Sequence, residues 1–417
     1  MSRVAQSFVN RYGAALEYRE FRLMWTANAF AQAAAWGLIV ARGWLIFDKT
    51  DSSFWVGAST FAAMGPLFLV PPIVGVLADR MDRRTILAWS YAINCLHNFV
   101  LFAGALLGFI EVWMIISLSV VNGVARAAQI PTSQALAASL VPRDKLLNAL
   151  SLNASTQHGS RLIGPGLVTP LLSILGAPAA LLLCTVFYVV GLSCVLAMAP
   201  RPPERVVESF WSNFTGGVAY VYARPVIRFT IMLAIFHCGL TMAFESLLPA
   251  FSRERLSLDD GGGTLIMGVG AGAFVASVFV SGIQSTRARG NTLILTGVVS
   301  GLGQALLGLT SIIWLAVPAA MLMGGAQAAF MTMTQSVTQA AATDEFRGRV
   351  ASLNTVALGG MMATINLVNG SLADQVGAHS LLFWEGLVFA SLVLLSLFAV
   401  TGRRVYGRSP ALEPRPA

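Results

Sequence analysis

The sequence has 417 residues, of which 56% are hydrophobic and only 11% are charged, and its mean hydropathy is +0.71. Soluble domains carry about 25% charged residues, so this composition excludes a soluble fold and indicates that lipid surrounds most of the chain. The formal net charge of +8 does not indicate nucleic-acid binding, because most basic residues fall in the predicted loops of one membrane face.

Long apolar runs separated by short polar segments predict twelve transmembrane helices, because about 20 apolar residues are needed to cross a bilayer. The predicted spans are 22–47, 54–78, 86–109, 112–138, 147–175, 179–199, 226–250, 264–284, 291–309, 312–340, 351–373 and 380–401. The expected fold class is therefore an all-α membrane protein.

The distribution of basic residues predicts the orientation of these spans. With the N-terminus inside, 21 of the 27 Lys and Arg residues fall in inner segments, and only Lys49, Arg253 and Arg255 fall in outer loops. Because cytoplasmic loops carry an excess of Lys and Arg, both termini are predicted to be cytoplasmic. We expect a multi-pass protein of the bacterial inner (cell) membrane.

The longest predicted inner loop divides the chain into two halves. Residues 1–200 and 226–417 each hold six predicted spans, the second followed by a cytoplasmic tail, and residues 201–225 form a cytoplasmic linker. The segments Gln134–Asn153 and Gln335–Asn354 form an internal repeat with an offset of 201 residues. Parallel repeats of this kind are typical of transporters whose binding site lies between pseudo-symmetric halves near the middle of the membrane.

The loop after the second predicted span carries a charged motif, Gly-Val-Leu-Ala-Asp-Arg-Met-Asp-Arg-Arg, at residues 75–84. It resembles the signature loop of the major facilitator superfamily, with Asp82 where the family pattern has glycine. The matching residues are Gly75, Leu77, Ala78, Asp79, Arg80, Arg83 and Arg84. A carboxylate near a helix start meets the positive end of the helix dipole, and arginines one turn away can pair with it. We therefore expect a latch at the inner gate; alternatively, the loop only anchors the topology.

Two further segments resemble the branch of this superfamily that holds the enterobactin exporter and macrolide-efflux-like proteins. They are Asn148–Pro165, which contains Arg161, and Arg347-Gly-Arg349-Val. The resemblance implies the major facilitator fold of twelve helices and a monomeric, proton-coupled exporter that works by alternating access.

Four ionisable residues within the predicted spans are candidates for proton coupling. A charged side chain at the centre of a membrane helix costs at least ~2.5–3.5 kcal/mol, so each needs a partner, a cavity or a function. Arg126 is either functional or structurally paired, and His158 and Arg161 share one helix face at positions i and i+3. Glu245 is the candidate proton-binding acid, because no other acid lies as deep within a span. The alternative is an outer salt bridge, for example with Arg42.

Polar and aromatic side chains within the spans are candidates for the substrate cavity. Asn28, Gln32 and Trp36 are spaced by four residues and therefore share one helix face. The full set of candidates is Asn28, Gln32, Trp36, Gln157, His237, Gln327 and Asn366. Alternatively, such side chains only bond one helix to another. His97 stands alone in the third span and is predicted to be a satisfied core histidine.

These patterns leave more than one function open. We expect proton-driven export of a moderately large, partly apolar molecule such as a drug or a siderophore. The alternative is proton-coupled uptake of a small anionic metabolite, with Arg126 and Arg161 as clamps for a carboxylate. A non-transporting membrane sensor has no positive support in the sequence.

The sequence also predicts which partners are absent. It contains no phosphate-binding loop, metal-ligand cluster or nucleophile elbow, so no catalytic residues, metal or cofactor are expected. The expected partners are a small-molecule substrate, protons and the lipid bilayer. No span is predicted to be a broken helix with free carbonyls, which argues against sodium coupling.

Overall fold

The computed structural model describes residues 14–70, 81–200, 210–280 and 285–407. Within these ranges all regular secondary structure is helical. The α-helices are α1 (Arg19–Thr50), α2 (Ser53–Met64), α3 (Pro66–Leu69), α4 (Arg83–Leu106), α5 (Val112–Ser139), α6 (Leu146–Leu196), α7 (Phe210–Ala223), α8 (Pro225–His237), α9 (Leu248–Leu256), α10 (Gly263–Val280), α11 (Thr286–Leu309), α12 (Ile313–Ala341), α13 (Arg347–Val376), α14 (Ala378–Ser396) and α15 (Val400–Val405).

The described residues contain nine helices that are long and apolar enough to cross a membrane. Helix α6 covers two predicted spans, 147–175 and 179–199, and α10 is a shorter apolar helix at the place of the predicted span 264–284. The predicted span 54–78 begins as α2 and α3 and continues into residues 71–80, which lie outside the described ranges.

Helix α6 reverses direction at Gly176. This residue has φ 77° and ψ −178°, a conformation that favours glycine because it has no Cβ. Asn148, near the start of α6, accepts a hydrogen bond from the backbone of Ala15, and the carbonyl of Ala197, just after α6, accepts one from Arg19. Both ends of α6 therefore lie at the same end of the bundle, as two antiparallel spans require.

The helix bundle has two ends, which we name from their contacts. The terminal face holds Arg19 and Arg84, which donate to the carbonyls of the adjacent residues Ala197 and Leu196. The distal face holds the start of α2, where the backbone N–H of Ser53 donates to Asp374 near the end of α13.

Helices before residue 200 pack mainly against one another, and so do helices after residue 210. Helix α1 lies along α6, and α4 packs against α5 and α6; in the C-terminal part, α10 packs against α12, and α11 packs against α12 and α14. Two seams join these groups, α2 against α13 and α6 against α10. At the first seam, Gly57 brings the backbones together, because a Cβ there would lie 2.5 Å from the carbonyl oxygen of Asn366.

The predicted span 226–250 is not one continuous helix, which corrects the sequence prediction. Helix α8 ends at His237 and continues as a π-helical turn, Cys238–Met242, after which residues 243–247 are non-helical. π-Helical turns often occur at functional sites, and this one leads directly to Glu245.

Candidate functional site

A cluster of charged side chains lies at the junction of the N-terminal and C-terminal helices. Arg42 of α1 and Arg161 of α6 have only 4% and 8% of their surface exposed, and Arg126 of α5 is half-buried. Glu245, in the break between α8 and α9, is 4% exposed and lies within electrostatic range of all three arginines. The cluster thus holds three guanidinium groups and one carboxylate.

The two buried guanidinium groups are held by neutral partners. Arg161 lies over the ring of Trp36, with 4.6 Å between its Cζ and the ring centroid, and 6.0 Å from the ring of Phe244. Such cation–π contacts stabilise a desolvated cation. Arg42 donates a hydrogen bond of 3.1 Å to Ser119 Oγ. In the described part of the chain neither arginine forms an ion pair, so both charges remain available to an incoming group.

Both carboxylate oxygens of Glu245 are buried and have no hydrogen-bond partner among the described residues. Buried polar groups are normally hydrogen-bonded, and an unpaired carboxylate is expensive to bury. The salt bridge between Glu245 and Arg42, which the sequence leaves open as the alternative, is not formed among the described residues, although the two groups lie within electrostatic range. Among the described residues, no hydrogen bond or ion pair of this carboxyl group ties two helices together.

Side-chain amides hold the broken helix in place. Gln304 donates to the carbonyl of Leu240 at 2.8 Å, Gln327 donates to the carbonyl of Thr241, and Asn369 donates to the carbonyl of Ala243 at 2.9 Å. These bonds occupy carbonyls that the break would otherwise leave free. A broken helix is present, contrary to the sequence prediction, but these three carbonyls are satisfied by amides.

Three predicted cavity residues lie instead inside the protein. Gln327 and Asn366 are fully buried, and Asn366 Oδ1 accepts a hydrogen bond of 3.1 Å from the backbone of Ser246. His237 is also fully buried: its Nε2 lies 3.2 Å from Ser300 Oγ, and its ring packs against Phe330 and Phe389. In this structure these side chains form contacts among the C-terminal helices.

His97 differs from its prediction as a satisfied core histidine. It is 2% exposed, and neither ring nitrogen has a hydrogen-bond partner in the described structure. Asn94, one turn earlier on α4, accepts a 2.7 Å hydrogen bond from Asn122 and donates one of 3.3 Å to Gln129. The amides around His97 therefore bond one another and leave the histidine unpaired.

Other predicted cavity residues meet at a polar cavity of about 290 Å³ on the terminal side of the charged cluster. Asn28 and Gln32 of α1 and Gln157 of α6, which are predicted substrate-cavity residues, line it together. Sequence inspection missed their neighbours; the added polar lining residues are Ser133, Gln134 and Asn153. Trp36, the third residue of the same face of α1, lies one turn after Gln32 and contacts Arg161.

The signature loop is only partly described. Gly75, Asp79 and Arg80 lie outside the described residues, and so does the side chain of His158, although its position on α6 is known. The latch therefore stays a prediction.

The last residues of that loop tie the start of α4 to the end of α6. Asp82 caps α4 by accepting a 3.0 Å hydrogen bond from the backbone of Arg84. Arg84 in turn donates to the carbonyls of Val195 and Leu196 at 3.3 and 2.5 Å. Arg83 is the first residue of α4, on the terminal face.

Polar contacts between the two helix groups lie on the distal face. Arg253 pairs with Asp48 at 3.2 Å and with Asp259 at 2.7 Å, and Asp259 also accepts a hydrogen bond from the indole of Trp44. Asp374 of α13 accepts hydrogen bonds from the backbone N–H groups of Ser53 and Phe54 at the start of α2. The structure is therefore closed on the distal side.

An all-helical membrane protein with two helix groups, a charged cluster between them and a polar cavity on one side has the architecture of a secondary transporter. Comparison with solved structures shows which fold the helices form. The crystal structure of the nucleoside transporter NupG aligns with a TM-score of 0.74 at 12% sequence identity, covering 91% of this chain and all of that one. A POT family transporter in complex with 5-aminolevulinic acid aligns with a TM-score of 0.70, also at 12% identity, covering 93% and 96% of the two chains. These similarities show the major facilitator fold.

The chain belongs to the transmembrane secretion effector family of the major facilitator superfamily, which it matches over residues 12–406. It is 22% identical to macrolide efflux protein A of Streptococcus pyogenes over 291 residues, which is 64% of this chain and 72% of the relative. It is 21% identical to the multidrug efflux pump Tap of Mycolicibacterium fortuitum over 361 residues, 82% and 86% of the two chains. The protein is thus a membrane transporter and not an enzyme.

Proposed function

We propose that this protein is a proton-coupled exporter of a drug- or siderophore-like small molecule. The observation that carries the proposal is Glu245, a buried carboxyl group on a broken helix at the junction of the two helix groups, with no hydrogen-bond partner among the described residues. The relatives named as macrolide and multidrug efflux proteins support export as the direction of transport.

In the proposed cycle the two six-helix halves, residues 1–200 and 226–417, rock against each other, and residues 201–225 link them. The terminal face is cytoplasmic, so the substrate reaches the polar cavity from inside while the distal contacts of Arg253 and Asp374 stay closed. Opening of the distal face then releases the substrate. The signature loop at Gly75–Arg84 acts as the latch that closes the terminal face in the opposite state.

Coupling requires that the substrate and the proton compete for Glu245. A neutral substrate that donates hydrogen bonds to the ionised carboxyl group occupies the lone pairs that a proton would use. Release of the substrate on the distal side frees the carboxylate for a proton, which returns the carrier to the terminal-open state.

One specific observation favours a second candidate, proton-coupled uptake of a small anionic metabolite. Arg42, Arg126 and Arg161 outnumber the single carboxylate in the cluster, and an anion would neutralise the excess. An anion bound to the arginines repels an ionised Glu245 and therefore favours its protonated form. In this case the substrate and the proton bind together, which is the opposite linkage to that of the exporter.

The sign of proton exchange on substrate binding separates the two candidates. The purified full chain in lipid nanodiscs, in weakly buffered solution with a pH-sensitive dye, is mixed with dyes, macrolides, catechol siderophores and small carboxylates. Proton release on addition of a drug or siderophore is expected for the exporter. Proton uptake on addition of a carboxylate would instead establish the anion carrier.

Variants assign the proton to a residue in the same experiment. Glu245→Gln is expected to abolish the exchange, whereas Glu111→Gln, a change at an exposed carboxylate on the distal face, is expected to leave it intact. If the exchange survives Glu245→Gln, the assignment is wrong, and His158 and Asp79 are the next candidates. Transport in inside-out vesicles under an imposed proton gradient then tests the direction.

A further inference from the structure

The polar cavity on the terminal side of the charged cluster is lined by uncharged side chains. Its amide-bearing residues are Asn28, Gln32, Gln134, Asn153 and Gln157. Among the side chains that the structure describes, no charged one lines it, in contrast to the cluster at Arg161 and Glu245. The two regions therefore offer different chemistry to a bound molecule.

The five amides have no internal hydrogen bonds to satisfy them. None of these side chains has a hydrogen-bond partner in the described part of the chain, and Asn153 Oδ1 is buried without one. Amides that only bond one helix to another would be paired across the helix contact. When the terminal face closes, these groups lose water and need partners from a ligand or from the C-terminal helices.

The cavity and the charged cluster lie along the same two helices. Asn28, Gln32 and Trp36 follow one another at four-residue spacing on α1, and Asn153, Gln157 and Arg161 do so on α6. Four residues correspond to about 6 Å along a helix. Because Arg161 lies over Trp36, the two series run side by side from the cavity to the cluster. A molecule in the cavity therefore reaches Trp36 with its next group.

The amide lining selects the chemistry of that molecule. Each amide offers two N–H donors and one carbonyl acceptor, and a hydroxyl group is likewise both donor and acceptor. A cation or an anion finds no opposite charge among the described side chains of this lining. The volume of about 290 Å³ lies at the lower end of ligand pockets, which hold about 300–1,000 Å³, so the cavity suits one compact group rather than a whole drug-sized molecule.

We propose that this cavity binds an uncharged, polyhydroxylated group of the substrate, while an aromatic or apolar portion of the same molecule contacts Trp36. This inference rests on the proposed transport function and specifies the substrate class of its site.

The test uses 4-nitrophenyl β-D-glucopyranoside and the same compound with all four hydroxyl groups methylated. Both keep the aromatic ring, but only the first can donate hydrogen bonds. Binding to the full chain in nanodiscs is measured by quenching of tryptophan fluorescence by the nitrophenyl group. The wild type is expected to bind the free glucoside about tenfold or more tightly than the methylated compound. Equal affinity for the two compounds, or no binding of either, would overturn the proposal.

Variants locate the binding. Gln32→Met and Asn153→Leu remove amides at nearly constant volume, and each is expected to weaken glucoside binding about three- to tenfold without changing binding of the methylated compound. Gln157→Met, at an exposed position, serves as a variant with little effect on folding. Gln335→Met is the matched control, because Gln335 is an exposed amide on α12 outside the cavity lining. Unchanged affinity in all three cavity variants would show that the amides only contact water.

The proton measurement on the same preparations keeps this inference separate from the transport mechanism. Glu245→Gln is expected to retain the preference for the free glucoside, because Glu245 does not line the cavity. Loss of the preference for hydroxyl groups with intact proton exchange would overturn the substrate class alone. Intact preference without proton exchange in the wild type would overturn the coupling mechanism alone.

Discussion

Asp374 of α13 caps the N-terminus of α2 across the seam between the two helix groups. Its carboxylate accepts hydrogen bonds from the backbone N–H groups of Ser53 and Phe54, at 2.7 and 3.3 Å, and from the hydroxyl of Ser52. Ser52, at the N-cap position of α2, makes no cap hydrogen bond within its own helix. The first turn of α2 is therefore satisfied only while the distal face is closed.

The energy of this cap can be worked out from its parts. Replacing an N-cap side chain by alanine costs about 0.5–2 kcal/mol, and a carboxylate at a helix N-terminus contributes a further 0.3–1 kcal/mol or so. Asp374→Ala is therefore expected to destabilise the distal-closed state by about 1–3 kcal/mol, which shifts the ratio of closed to open molecules by roughly 5- to 150-fold.

Distance measurements between two spin labels test this shift. Labels at Lys49 and Gln375, both exposed on the distal face and on different helix groups, are introduced into a chain whose four cysteines have been replaced. In Asp374→Ala the population with a long label-to-label distance is expected to rise. Asp344→Ala removes an exposed ion pair to Arg347 on the terminal face and is expected to change nothing. An unchanged distance distribution in Asp374→Ala would refute the role of the cap.

Two substitutions probe the seam and the broken helix. Gly57→Ala places a methyl group 2.5 Å from the carbonyl oxygen of Asn366, so it is expected to separate α2 from α13. The population with a long label-to-label distance should then rise in the same spin-label experiment. Unaltered distances would show that the seam accommodates the methyl group. Gln327→Leu leaves the carbonyl of Thr241 without its donor and is expected to lower the free energy of unfolding by about 1–3 kcal/mol. Thermal unfolding in detergent measures this change, and Gln335→Leu, at an exposed position, is the control. Equal melting temperatures of Gln327→Leu and the wild type would contradict a stabilising role for Gln327.

The membrane helices could be predicted from the sequence because hydropathy alone determines most of them. The predicted span 112–138, for example, corresponds closely to α5 at Val112–Ser139. The reversal at Gly176 was also predictable, since the segment Gly176-Ala177-Pro178 interrupts an apolar run. Both signals are local, and neither depends on which helices pack together.

The break at residues 243–247 could not be predicted in the same way, because its causes lie far away in the chain. The amides that hold it come from α11, α12 and α13, more than 60 residues later. A usable signal was present in the amide side chains within these membrane helices, Gln304, Gln327 and Asn369. Such residues need a partner in lipid, and an unwound backbone supplies it.

The candidate site was partly predictable for a similar reason. Spacing by four residues correctly placed Asn28 and Gln32 on one face of α1, but the register of α5 against α1 was needed to add Ser133 and Gln134 to the same cavity. The distal contact between Ser53 and Asp374 joins positions 321 residues apart. No pattern in either segment indicates the other.

Asn366 connects the candidate proton site with the distal seam. Its Oδ1 accepts the backbone N–H of Ser246, the residue after Glu245, and its own backbone lies against Gly57 of α2. One and two turns further along α13, Gly370 lies against the backbone of Ser53 and Asp374 caps α2. A single face of α13 therefore contacts both the broken helix and α2.

A change of charge at Glu245 alters its attraction to the arginines of the N-terminal helices, and the segment that carries it is fixed to α13 by Asn366 and Asn369. Any displacement of that segment therefore acts on the helix that closes the distal face. Because the seam depends on close backbone contact at Gly57 and on the cap from Asp374, it is either formed or broken rather than gradually loosened. In the proposed mechanism, protonation of Glu245 would therefore have a short, continuous route to the distal seam.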